Sequence, residues 1–122
     1  MWFEVLPENC PPNKSVNPNG ETYYRLAESP EIKCSDFWSH RKLWPKKLFK
    51  VPECRACSVS VFSEIDACTD LRKLKIHQGK PVVAIILNND SGKVQQTGNN
   101  IFHYSWWRAL NFDPLLSSRL VK

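Results

Sequence analysis

Glycine is scarce in this chain. The four glycines stand at positions 20, 79, 92 and 98, too scattered to form a Gly-rich loop that cradles a phosphate. The chain also lacks His-Glu-x-x-His, Gly-x-Ser-x-Gly and calcium-loop patterns, so the common signature-based enzyme classes have no support. Long apolar runs are missing too. The longest, Pro81 to Leu87, falls far short of the roughly 20 residues a bilayer-spanning helix needs, and no membrane contact is expected. The opening Met-Trp-Phe-Glu-Val-Leu-Pro-Glu has no positive n-region, and an acid and a proline interrupt its apolar residues, so no export signal is read and a cytoplasmic protein is expected. The cysteines, Cys10, Cys34, Cys54, Cys57 and Cys68, are odd in number and cannot all pair within one chain; mostly free thiols are the expectation.

What is present suits one folded unit. With 122 residues, 42% hydrophobic and 24% charged, the chain can bury one core and is expected to form a single domain over 1–122. Its formal net charge of +5 is localised. Arg41, Lys42, Lys46, Lys47 and Lys50 fall within ten residues, no acid lies between Asp36 and Glu53, and the other bases balance the acids.

Periodicity places the elements. Residues 7–20 are rich in proline and asparagine and read as a loop, preceded by a short edge strand over Trp2 to Leu6. Glu21 to Ala27 alternates as a strand, with Thr22, Tyr24 and Leu26 on one face and Tyr23 and Arg25 on the other. Ser35 and Asp36 suggest a short helix over 35–43 that Pro45 ends, and 41–53 is a basic exposed loop. Ser58 to Phe62 alternates as a half-buried strand. Ser63 and Asp66 approximate a capping box for a main helix over 64–77, stopped by Gly79. Val82 to Leu87 is apolar on both faces and reads as a central strand, with Asn88 to Gly92 turning Lys93 to Thr97 back against it. Ile101 to Arg108 is a further strand, and Asp113-Pro114 opens a short C-terminal helix or ordered tail. The pattern predicts an α+β fold: a mixed or largely antiparallel sheet of about five to six strands with one main helix.

Three constellations could carry chemistry. In the segment 38–50, Trp38 and Trp44 interleave with Arg41, Lys42, Lys46, Lys47 and Lys50; cations neutralise phosphates and aromatic rings stack on bases. The competing reading is a solvated basic loop pinned by its aromatics. Cys54 and Cys57 form the one Cys-x-x-Cys pair, and with Cys34 and Cys68 they could supply four thiolates to zinc. No second half-site accompanies them, and buried or incidental thiols are the preferred reading, with no metal assigned. Finally, His103, Ser105 and Trp107 share one strand face opposite Phe102, Tyr104 and Trp106, so a tryptophan-walled pocket holding one histidine competes with simple core packing.

Tyr23-Tyr24-Arg25 on an early strand, Ser58 and Ser60 on a mid-chain strand, and the helix and strands that follow give the chain a resemblance to the mono-ADP-ribosyltransferase fold over about half its length. The resemblance implies NAD or another nucleotide as ligand, with Arg25 and Ser58 or Ser60 at the matching cleft positions; beside it, Arg25, Ser58, Ser60 and His103 are the candidate catalytic residues, with Trp107, Gln95 and Gln96 as a pocket wall. The chain departs from that family in having no glutamate after Glu64; Gln95 and Gln96 are the nearest substitutes, and neither can offer the negative charge that stabilises an oxocarbenium-like transition state.

The first functional expectation is therefore a binding or accessory module, without enzymatic activity, that contacts nucleic acid or an acidic protein through 38–50. A nucleotide- or NAD-binding enzyme, or a degenerate transferase-like protein, is the second, and a protein-interaction subunit the third.

Overall fold

A computed structural model describes residues 1–122. Six strands form: β1 (Glu21–Leu26), β2 (Val59–Phe62), β3 (Val82–Leu87), β4 (Gly92–Gln96), β5 (His103–Arg108) and β6 (Ser118–Leu120). Three short helices accompany them: α1 (His40–Leu43), α2 (Glu53–Ala56) and α3 (Ile65–Leu71). All six strands join one antiparallel sheet in the order β4-β5-β2-β1-β3-β6, an α+β architecture as the sequence pattern predicts. No helix is long and apolar enough to cross a membrane.

Alternation decides which side chains enter the core. Tyr23 pairs with Ile85 and Val59 with Trp106, and with Val61, Val83, Leu87 and Val94 these residues build the main core on one face of the sheet, capped by Phe37. The Trp106 indole N–H donates to the Ser91 carbonyl at 2.9 Å, so the largest core side chain leaves no polar atom unpaired. Val82 and Ala84 point to the opposite face and are also fully buried; α3 packs on β1, β2 and β3 and buries Ala67 and Cys68. Coverage of β3 is thus two-sided except at Ile86, which is 42% exposed.

The expected pairing of Val82–Leu87 with Lys93–Thr97 does not occur. β3 pairs instead with β1 and β6, and β4 pairs with β5. Both edges of β3 are occupied, while the turn over 97–102 joins β4 to β5 as a local hairpin closed by the Thr97 N–H donating to His103 O. Gly92 begins β4 at φ 126°, and a Cβ there would stand 2.0 Å from the Trp107 carbonyl oxygen, so only glycine lets β4 approach β5. The loop before β1 follows the sheet: Val16 bridges to Val94 of β4, and the Gly20 N–H donates to Leu87 O of β3.

Other boundaries move for local reasons. The main helix stops at Leu71, not 77, because Leu74 and Ile76 lie in solvent and Arg72 ties the departing chain to the carbonyls of Lys80 and Lys122. Its N-cap is Glu64, and no Ser63 capping box forms. The helix expected over 35–43 splits into a 3-10 turn at Cys34–Phe37 and α1, whose cap is Ser39, with Oγ accepting from the Lys42 N–H. Trp2 contributes one bridge to Ala109 in place of an edge strand. The C-terminal segment forms β6, with Asp113 capping only a turn. Cys10 and Cys54 are joined by a disulfide, so the free-thiol expectation holds for Cys34, Cys57 and Cys68 alone. Cys54 is thereby removed from the four-thiolate set considered for zinc, and no group of three or more His, Cys, Asp or Glu side chains is placed to hold a metal ion.

Candidate functional site

The basic segment is more ordered than an open loop, and Arg41 is the reason. From α1 its guanidinium makes a bidentate pair with Glu53, at 2.7 and 2.8 Å, and donates to the carbonyls of Trp44, Pro45 and Lys47. It also lies 4.8 Å from the centre of the Phe49 ring, which His40 flanks on a stacked geometry. Pro45 removes a donor and ends α1, and Arg41 then supplies donors to the carbonyls of the turn that results. The hydrogen bond to Arg41 holds the Glu53 carboxyl below its ordinary value and raises Arg41. Arg41, expected as a contact residue, is therefore engaged inside the loop.

The other candidates divide. Lys42 extends back over the Trp38 ring at 4.6 Å and the Phe3 ring at 5.4 Å, cation-π contacts that fix the loop's entry. Trp38 is half-buried with its indole N–H unpartnered. Trp44, Lys46, Lys47 and Lys50 remain exposed, and none of these lysines pairs with an acid. Trp44 is 60% exposed and, with Pro45, Lys46 and Lys47, lines an open hollow of about 320 Å³; Leu48 beside it is 95% exposed. A larger hollow of about 660 Å³ lies elsewhere, between Met1, Asp90 and Asp113, and contains none of the residues singled out from the sequence.

The second constellation lies on β2 and β5. Val61 pairs with Tyr104 and Phe62 with His103, a register that brings Ser60 and His103 within reach although 43 residues separate them. Ser60 Oγ is 3.0 Å from His103 Nε2, and His103 Nδ1 is 3.0 Å from the Thr97 carbonyl oxygen. Thr97 Oγ1 in turn meets Ser105 Oγ at 2.8 Å. Burial, together with the Arg55 charge, keeps His103 below its ordinary pKa against the opposing effect of the Thr97 carbonyl.

Other cleft candidates are placed differently. β1 and β2 pair only at Tyr24 and Phe62, and beyond that point the Arg25 guanidinium donates to the Ser60 carbonyl, taking the place of a ladder donor. Arg25 is a half-buried cation within the sheet, pushed below its ordinary pKa by desolvation, with Asp36 opposing the shift. Ser58 is buried in the turn between α2 and β2, its hydroxyl donating to Arg55 O. Trp107 is fully buried and donates its indole N–H to Cys54 O. Gln95 is half-buried opposite Ser105, and Gln96 is exposed with its amide donating to the carbonyls of Thr97, Gly98 and Asn100. Sequence reasoning placed Ser105 on the face of His103 but missed Thr97 and Arg55 as its neighbours, because the β4–β5 hairpin and the position of α2 bring them there.

No family model, no curated protein and no solved structure matches this chain.

Proposed function

We propose that the protein is a binding module that holds single-stranded nucleic acid on the loop over 44–50. The observation that carries this reading is an exposed Trp44 ring sharing a hollow with Lys46 and Lys47, with Lys50 exposed further along the loop, three cations with no acid partner. Lysines neutralise successive phosphates, and a solvent-facing indole gives an unpaired base a surface on which to stack. Arg41 and Lys42 serve the module by holding the loop's shape and not by touching the ligand. An acidic protein partner would use the same lysines but gain little from base stacking.

The test is fluorescence and anisotropy titration with single-stranded DNA and RNA oligonucleotides. Binding should quench tryptophan emission, and Trp44→Ala should weaken it by about 1–3 kcal/mol, the usual worth of one stacked base. Binding with unchanged affinity after Trp44→Ala would favour the acidic-protein reading. No binding to either nucleic acid would end the proposal.

A further inference from the structure

The polar cluster on the β2–β5 face has an order that core packing alone does not require. A carbonyl oxygen can only accept, so the 3.0 Å contact between His103 Nδ1 and Thr97 O places the ring proton on Nδ1. Nε2 is then bare and takes the hydroxyl proton of Ser60 in a 3.0 Å hydrogen bond. This is the arrangement of an activated nucleophile: a hydroxyl held by a base, and the base held in one tautomer by a third group. Thr97 Oγ1, which also meets Nδ1 at 3.1 Å, is itself bonded to Ser105, so the orienting side is braced twice. Phe62 packs edge-on against the imidazole at 5.3 Å between ring centres and limits its rotation.

One charged group faces this pair from a separate element. Arg55, on α2, has no acid partner, and its guanidinium lies against Gly98, where an added Cβ would meet Nη2 at 3.3 Å and His103 Nδ1 at 3.9 Å. Ser60, Phe62, Arg55, Thr97 and His103 are all half-buried, so the cluster is sheltered without being sealed.

We propose that Ser60 and His103 form a nucleophile-base pair that cleaves a carboxylic ester whose acyl part carries an anionic group, with Arg55 pairing with that anion. Ser60 Oγ forms a bond to the ester carbonyl carbon as its proton passes to His103 Nε2. The ester C–O bond then breaks, and the leaving alcohol takes that proton. Water attacks the acyl-serine, gives a proton to Nε2, and the released carboxylic acid leaves as the proton returns to Ser60 Oγ. The balance needs only water. The reaction is separate from nucleic-acid binding at 44–50 and survives the failure of that reading.

The test uses the full chain and a fluorophosphonate probe. Ser60 Oγ forms a P–O bond, the P–F bond breaks, fluoride leaves, and the hydroxyl proton goes to His103. Intact mass and peptide mapping should show a single adduct on Ser60, none in S60A, and labelling slowed at least about 100-fold in H103Q, in line with loss of a general base. The labelling rate should rise with pH through a titration lying below the ordinary histidine value, as expected for an imidazole half-buried against Ser60, Thr97 and Ser105 of the sheet and faced by Arg55 from α2, burial and Arg55 lowering it against the Thr97 carbonyl. Native protein that gives no Ser60 adduct, or labels no faster than heat-denatured protein or H103Q, overturns the proposal whether or not S60A folds. Turnover of p-nitrophenyl succinate should exceed that of p-nitrophenyl acetate by about 10-fold or more, as one charge-assisted contact supplies, and R55Q should abolish the difference. Equal turnover of the two esters in the wild type would overturn the assignment of Arg55 to an anionic acyl group.

Discussion

The loop over 40–53 and the strand β3 hold their shapes by different physics. β3 is fixed by burial: Val82, Val83, Ala84, Ile85 and Leu87 are all fully buried, and strands pair along both its edges. The loop buries little and is fixed by bonds, through Arg41 to Glu53 and three carbonyls, with the Cys10–Cys54 disulfide anchoring the residue after Glu53. A segment held this way can leave Trp44 and three lysines in water and still present them in one arrangement, whereas a segment held by burial has no side chains to offer a partner. Stability and binding should therefore separate by region.

The largest expected effect is on the disulfide. Replacing Cys10 and Cys54 with serine frees a loop closed across 44 residues, and the loop-entropy estimate puts the loss near 4 kcal/mol; chemical denaturation checks it. Next comes the buried strand, where Ile85→Ala should cost about 2–4 kcal/mol and Ile86→Ala, at a half-open position, under about 1 kcal/mol. Equal losses at the two sites would contradict the register given for β3.

The third expectation concerns acid. His103 has a pKa lowered by burial, so the unfolded chain binds its proton more readily. Its contribution is present above the ordinary histidine value, near 6.5, and is lost as pH falls through the window down to the lowered folded value. Glu53 has a lowered pKa through its bond to Arg41, so the loop keeps its brace above the ordinary carboxylate range and loses it as pH falls through the lowered value. Stability measured against pH should fall first with His103 and His40, both lowered by burial, the first step being smaller in His103→Gln, and amide exchange within the loop should accelerate only at lower pH. The smallest effect on global stability is expected for Arg41→Ala, which should leave the melting temperature nearly unchanged while making 44–50 readily cleaved by protease. A protected loop in that variant would show that Arg41 is not its organiser.

The α+β class and most strands were legible because alternation at period two survives in Glu21–Leu26, Val59–Phe62 and His103–Arg108. Strand order was not, since the turn chemistry of Asn88 to Gly92 suits a hairpin, whereas β3 finds its partners in the distant β1 and β6. The helix period ran past Leu71 because Leu74 and Ile76 keep helical spacing although they face solvent. At the candidate site, composition pointed to the basic segment but could not distinguish Arg41, turned inward, from Lys46 and Lys50, left outside. Ser60 and His103 were candidates for one cleft, but their direct bond follows from the pairing of β2 with β5, which no local pattern encodes.

The salt dependence of oligonucleotide binding tests the central claim most directly. If Lys46, Lys47 and Lys50 each neutralise one phosphate, log K against log salt concentration should fall with a slope near −2 for single strands. Reversing the three charges together should bring that slope toward zero with the melting temperature unchanged. A flat wild-type response, or a slope that survives the triple reversal, would contradict the account.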